Sequence, residues 1–487
     1  MIVCNIRHVF TCILIYIYCC SGVFAATPVT LSLDEAILIA ARSNPNVQES
    51  QLSYVLQKFN LHIQEWQFDL HYAFQASAGV TRSNLPQQPT SYSRNYNIQP
   101  SISLQTPIGT QLTLTSNNPL TDHYNPSLSL QLMQPLIRGF GKAIVETALN
   151  NARDSEIISR LTIEGTLQNT ITAVVNAYLD VVAAEQTIAI DRDAIKRAEQ
   201  SVEQTKMYIK AGRKAGNELV AVQADVARAN TQMENDKNNF AQVRYALLMA
   251  IGMDPNTNVR LTSLNIESLI RKYSLPSLPV TKRLILENDI QYQVDQIVLH
   301  GPTTRALMVA KDNTRWQLNL EANVATGNVT GVPNQGQNAG INGLFNTSYQ
   351  TQGIGLTLQI PIADQLTKQG VVNAEIALKQ AALALMQEKW NKETSAINGW
   401  NNVVSAKRAL QFAENAARLQ KKTYTISYQK YLHGLIDSLE LQSAQLQLIQ
   451  AQQVLLREKI SYLKALVNLD LLVGNTLRTW NIKVRLQ

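Results

Sequence analysis

Outside the N-terminal segment the chain has only His62, His71, His123, His300 and His433 for acid–base or metal chemistry, and no two of them have metal-site spacing. All four cysteines (Cys4, Cys12, Cys19, Cys20) fall within the first 25 residues, so the remainder offers no disulfide, thiolate ligand or cysteine nucleophile. Gly139-Phe140-Gly141-Lys142 is too short to cradle a nucleotide phosphate. The sequence therefore presents no catalytic site, metal site or cofactor motif, and the expectation is that the protein is not an enzyme. What remains is carboxylate and glycine chemistry at two helix breaks. Gly212 and Gly434 interrupt helical stretches and can take the left-handed conformation that ends a helix. Asp437-Ser438-Leu439-Glu440 reads as a capping box opening the next helix, with Asn217 and Glu218 playing similar parts at the first break.

The elements that carry these breaks are long. No proline occurs from Leu136 to Asp254 or from Ile362 to the C-terminus, and both stretches are rich in Ala, Gln, Glu, Lys and Leu. A helix from Ala143 to Lys210 would run on the order of 100 Å at 1.5 Å per residue, beyond any ordinary globular core. Leu219, Val222, Val226, Met233, Phe240, Val243 and Leu247 follow spacings of three, four or seven, a coiled-coil-like seam. Ser32 to Glu35 forms a capping box, and Asn44-Pro45 begins another helix.

Ahead of each helical stretch lie strands. Tyr72, Phe74, Ala76, Ala78 and Val80 alternate with small or polar residues, as do Ile102 and Leu104, then Leu128, Leu130 and Leu132. Leu318, Leu320, Ala322 and Val324, then Ile354, Leu356, Leu358 and Ile360, repeat the pattern. Aromatics such as Trp66, Phe68, Tyr72, Tyr124, Trp316 and Tyr349 sit near strand ends, like an interfacial girdle. Pro107 to Asn118, turning at Ile108-Gly109, could add a hairpin, which leaves the strand count of the first half open. Pro135 and Pro361 stand at the strand-to-helix junctions, where a missing N–H ends the ladder.

These features occur twice in the same order. Asn44-Pro45 is echoed by Asn288-Asp289, Gly79 by Gly327, Gln134-Pro135 by Ile360-Pro361, and Gly212 by Gly434, at separations of 244, 248, 226 and 222 residues. The expected organisation is a signal peptide at 1–25, a first repeat at 26–265 with strands at about 70–134 and a hairpin tip near 212–218, a linker at 266–285, and a second repeat at 286–487 with strands at about 316–360 and a tip near 431–440. The signal reading rests on Arg7, the short apolar run from Cys12 to Tyr18, and Val23-Phe24-Ala25 as a cleavage site. The chain carries a net charge of +7, scattered rather than clustered, which gives no support to a nucleic-acid surface.

A few strands per chain cannot leave open edges in hydrocarbon, where each unpaired backbone group costs several kcal/mol. Several copies must therefore share one closed barrel, with the helices continuing below it as a second tube. A periplasmic helical spacer or adaptor without a barrel is the competing reading; adaptors have a single hairpin, whereas two hairpins here each follow membrane-type strands.

Together, Leu31-Ser32-Leu33-Asp34-Glu35-Ala36, Asn44-Pro45, Gln134-Pro135-Leu136 and the two hairpins resemble the TolC-type outer-membrane efflux proteins, over nearly the whole chain past the signal. The resemblance implies a membrane α/β fold: a homotrimer whose chains give about four strands each to a twelve-stranded barrel, continued by a long periplasmic α-helical tunnel that tapers shut. It implies an exit channel in the bacterial outer membrane, in contact with its lipid, that serves a tripartite efflux pump or type I secretion system. The partners implied are a periplasmic adaptor (membrane fusion) protein and an inner-membrane transporter of RND, ABC or MFS type. Glu440 matches an acidic ring at the tunnel entrance, and Glu218 and Tyr431 match a pair that hydrogen-bonds between hairpins to hold the entrance closed. Two positions depart from the family pattern: the gate arginine falls on Ile436 and a second acidic position on Ser443.

Overall fold

The computed structural model describes residues 29–84, 86, 89–120, 124, 126–262, 266–327, 344 and 350–483. The expected signal peptide with its cysteines, His123 and Tyr349 lie outside the described residues.

The chain opens with β1 (Val29–Leu31) and α1 (Leu33–Ser43), whose N-terminus carries the expected reciprocal capping box between Ser32 and Glu35. Asn44 then caps α2 (Pro45–Trp66), with Pro45 in the first turn where its missing N–H has no cost. Four strands follow: β2 (His71–Ser83), β3 (Ser91–Gln105), β4 (Gln111–Pro119) and β5 (Ser127–Pro135). The short α3 (Lys142–Val145) leads into α4 (Thr147–Lys210), and the first tip returns the chain through α5 (Asn217–Ile251). After β6 (Val259–Leu261) come α6 (Ile266–Lys272), α7 (Leu278–Asn288) and α8 (Ile290–Val298). A π-turn at Leu299–Thr303, holding Pro302, joins α8 to α9 (Thr304–Asn313). The second half ends with β7 (Gln317–Gly327), β8 (Gln350–Gln359), α10 (Gln365–Leu432), α11 (Ser438–Leu472) and α12 (Thr476–Thr479).

Two segments differ in detail from the sequence reading. Residues 266–285, expected to link the two repeats, carry α6 and most of α7, which bury Ile266, Leu269 and Ile285. Against about four strands expected per chain, the described residues form six in one sheet, hydrogen-bonded in the order β2-β3-β4-β5-β7-β8. The hairpin left open in the first half forms: β3 turns into β4 through Gly109, whose φ of +97° places it in the region that favours glycine.

All five pairings in this sheet are antiparallel, and the apolar residues share one face. One row runs Tyr72, Ile102, Leu114, Leu130, Val324; another runs Leu104, Leu112, Leu132, Ala322, Ile354. Within one chain this face is bare, with Ile354 80% exposed. Pro135 closes β5 opposite Asn319, and Pro361 follows β8 directly.

Beneath the sheet, α4 and α10 run 64 and 68 residues without a break, roughly 100 Å each at 1.5 Å per residue. The main core lies partway down, where Ile171, Val175 and Leu179 of α4 meet Ile37 of α1, Leu248 of α5 and Leu463 of α11. α4 is long and apolar enough to cross a membrane by composition alone, but part of its apolar surface is buried in the chain's own packing. Tyr178, fully buried there, donates its hydroxyl to the carbonyls of Thr262 (2.9 Å) and Leu31 (3.3 Å), the residues that flank the parallel pair β1 and β6. Burial pushes its hydroxyl up to about 12.

Glycine holds equivalent places in the two halves. Gly252 (φ +83°) ends α5 against Ser43, and Gly474 (φ +70°) follows α11 against Asn288. Asn44 Nδ2 donates to Ala250 O at 2.8 Å, and Asn288 Nδ2 donates to Val473 O at 3.0 Å. A Cβ on Gly252 would sit 2.7 Å from Ser43 O. Gly252→Ala should therefore lower the melting temperature of the detergent-solubilised protein, the left-handed conformation alone costing about 1–2 kcal/mol before the clash. An unchanged melt would show that the α1–α2 corner moves aside freely.

Candidate functional site

Both hairpin tips are built alike, from a helix that ends on a left-handed glycine. Gly212 (φ +67°) donates to Ile209 O at 3.0 Å while Arg213 N donates to Tyr208 O at 2.8 Å. At the second tip Gly434 (φ +71°) donates to Tyr431 O at 3.0 Å and Leu435 N to Lys430 O at 2.9 Å. Each pattern satisfies helix carbonyls that would otherwise lack a donor.

Restarting the helices is done differently. Asp437 Oδ1 accepts from Glu440 N at 2.8 Å, which caps α11 and places the exposed Glu440 carboxylate in its first turn. The reciprocal half of a capping box is absent. At the first tip the cap residue is Gly216, with no side-chain bond, so Asn217 does not play the capping part expected of it. Glu218 is turned to another use. Its Oε2 accepts from Lys214 Nζ at 2.7 Å and from Ser438 Oγ at 3.0 Å, so it ties the first tip to the start of α11 in the second.

Tyr431 and Glu218 are neighbours, but not through the hydrogen bond the family resemblance implies. The Tyr431 side chain is fully buried, and its hydroxyl pairs with Thr205 Oγ1 at 2.9 Å. Lys214 stands between the two: its ammonium lies 4.5 Å from the centre of the Tyr431 ring while it holds the Glu218 carboxylate. The physical reason is solvation. A carboxylate reaching the Tyr431 hydroxyl would have to follow it into the helix interface, whereas a hydroxyl of Thr205 satisfies it there without burying charge. Tyr208 packs edge-on to Tyr431 at 5.9 Å and donates to Leu432 O at 2.9 Å. Lys214 and Ser438 were not singled out in the sequence; the spacing of Lys214 to Glu218 was the available signal for one of them, and none exists for the other.

Ile436 is half-buried beside Gly434, and Ser443 is exposed one turn into α11. The tip therefore carries the Glu440 carboxylate near the open end, with Ser443 neutral above it. Higher up, a cavity of about 320 Å³ opens between α4, α5 and α11, lined by Asp191, Asp225, Arg228, Gln442 and Gln445 among others. Asp225 accepts from Arg228 and from Gln442. Asp191 is buried, and burial first, then the carboxylate of Asp236 beside it, raises its carboxyl to about 7. Among the described residues no three His, Cys, Asp or Glu side chains converge in a way that could hold a metal ion.

Comparison with known proteins fits this architecture. Residues 309–475 match the family model described as Outer membrane efflux protein. A comparison with curated protein sequences finds no match. Among solved structures, the CusC crystal structure is similar with a TM-score of 0.70 at 13% identity, covering 93% of this chain and 95% of that one. The Campylobacter jejuni CmeC outer membrane channel is similar at 0.67 and 15% identity, covering 91% and 86%. The open-state MtrE outer membrane channel of Neisseria gonorrhoeae is similar at 0.68 and 15% identity, covering 91% and 88%. The second half thus matches the outer membrane efflux protein family model, and the fold is shared along nearly the whole chain with solved outer-membrane channels.

Proposed function

We propose that the protein is a passive exit duct: a homotrimer whose sheets close one barrel in the outer membrane and whose helices continue it as a tunnel through the periplasm. The observation that carries this reading is a sheet with a continuous bare apolar face, joined without a break to helices of roughly 100 Å. Neither the sheet nor the helices can be complete in one chain. The sheet ends in two open edges, β2 and β8. The helices end in two unpartnered apolar stripes: Leu52, Leu56, Phe59, Ile63 and Trp66 on α2, and Leu383, Trp390, Phe412, Leu419 and Ile426 on α10. Packing runs α2 to α4 to α8 to α10 above the core and α5 to α4 to α11 to α10 below it, so the flank opposite α10 is α2 above the core and α5 below it. Two different patches on opposite flanks make a head-to-tail contact, which closes into a ring.

On this reading the two halves are structural repeats, and the duct is recruited by a periplasmic adaptor and an inner-membrane transporter that choose the cargo. The adaptor-like alternative is disfavoured by the six-stranded sheet, which a spacer has no use for. The test is the mass of the particle extracted in detergent from separated inner and outer membranes. Three chains in the outer-membrane fraction are expected; a soluble periplasmic monomer would overturn the proposal.

Glu440 supplies the entrance chemistry. Three copies of an exposed carboxylate around the axis favour cations over anions. Glu440→Gln should lower the cation-to-anion permeability ratio several-fold in bilayer recordings. An unmoved reversal potential in a salt gradient would remove Glu440 from the entrance. Glu218, Lys214 and Ser438 form the latch between tips, in place of a direct bond from Glu218 to Tyr431.

A further inference from the structure

The barrel reading leaves one quantity open, its girth, and the six strands of the sheet bear on it. Their directions alternate without exception, so β2 and β8 run opposite ways. An even number of alternating strands lets β8 of one copy meet β2 of the next antiparallel, so identical copies close with no parallel seam. The added hairpin is a structural part of this wall. Its residues Ile102, Leu104, Leu112 and Leu114 lie in the same apolar rows as Leu130, Leu132 and Val324. Its turn is fastened at the helical end of the sheet: Gly141 N donates to Ile108 O at 3.2 Å, and a Cβ on Gly109 would lie 2.9 Å from Gly139 O. The Gly139-Phe140-Gly141 stretch, unfit to cradle a nucleotide, thus serves as the seat of this turn. At 15 residues β3 exceeds the 9–11 that a tilted strand needs to cross a bilayer, so it can span the membrane in its own right.

We propose that the shared barrel has eighteen strands, six from each of three copies, seamed between β8 and β2, rather than the twelve that the family resemblance implies. The inference rests on the trimeric duct proposed above. Girth gives it independent support. With strands about 4.8 Å apart and tilted about 40°, eighteen strands close at a backbone diameter of about 36 Å, and twelve at about 24 Å. Each chain presents four helical columns at any level below the core, so three chains give a tube of about twelve helices; at a spacing of about 9.5 Å these close at about 37 Å. A barrel of eighteen strands therefore has a girth close to that of the helical tube beneath it.

The chain past residue 25 has no cysteine, which allows clean disulfide mapping. Thr351→Cys or Thr357→Cys on β8 is combined with Ala73→Cys or Ser77→Cys on β2, or with Thr113→Cys on β4; all five positions lie on the polar face. The expected result is that oxidation of the trimer in membranes links β8 to β2 across copies and leaves β4 unlinked. Links from β8 to β4 in a particle of three chains would overturn the eighteen-stranded barrel and leave the duct standing. A particle that is not a trimer would overturn both. Barrel width in end-on images of the same particle decides independently of register: about 1.5 times that of a twelve-stranded barrel supports the proposal, and an equal width overturns it.

Discussion

Phe59→Asp and Phe412→Asp should each leave a folded chain that no longer assembles. Phe59 is 59% exposed and Phe412 74% exposed in the isolated chain, so neither supports the fold of its own protomer. Phe59 sits amid exposed Leu52, Leu56, Ile63 and Trp66, three, four or seven positions away, and Phe412 lies seven positions from exposed Leu419 and fourteen from Ile426. Burying one such ring contributes about 1.5–3 kcal/mol, and the loss is repeated at every contact of a ring. The substitution also sets a carboxylate in an apolar seam, where burial of a charge is costly. The measurement pairs particle mass in detergent with helical signal and melting temperature. A monomer with unchanged helix content is the expected outcome. Intact trimers from both variants would show that the ring closes through other faces, and would redirect attention to Val220, Tyr245 and Met249 of α5.

Asp191→Asn is expected to stabilise the hairpin at neutral and alkaline pH. In the folded chain the Asp191 carboxyl is raised from its ordinary 3.8 to about 7, by burial first and Asp236 second. The folded state therefore holds this proton more tightly than the unfolded one does. Stability from this group is fully present below about 3.8 and is lost as pH rises toward about 7, the opposite of an ion-paired aspartate. The parent should melt at lower temperature at pH 8 than at pH 5, and Asp191→Asn should flatten that difference by raising the pH 8 value. Hydrogen exchange of α4 and α5 around the cavity should slow in the variant at pH 8. Equal pH dependence in parent and variant would mean that Asp191 is solvated and ionised throughout.

What could be read from the chain was whatever depends on period. Alternation along Tyr72 to Val80 and Ile354 to Ile360 fixed strands and their apolar face, and proline-free stretches fixed helices whose ends the left-handed Gly212 and Gly434 marked. The strand count escaped because the Pro107 to Asn118 hairpin is short and its turn is held by Gly139 and Gly141, about 30 residues away. The helices within residues 266–285 did not show in the sequence because 7 and 11 residues are too short for a periodic face. The tip chemistry was legible in its residues and not in its pairings. Glu218 and Tyr431 do meet, but through Lys214, and which side chain stands between two hairpins is set by their packing. Asp191 looked like any other charged residue on a long helix, and only the approach of α5 buries it.

Mechanically, the unbroken α4 makes Tyr178 a fulcrum. Its hydroxyl is pinned to Thr262 O and Leu31 O, and 32 residues of continuous helix, about 48 Å, separate it from the tip at Lys210. Over that arm a tilt of about 5° swings the tip by about 4 Å. The Glu218–Ser438 bond, 3.0 Å long, cannot survive a displacement of that size between one hairpin and the other.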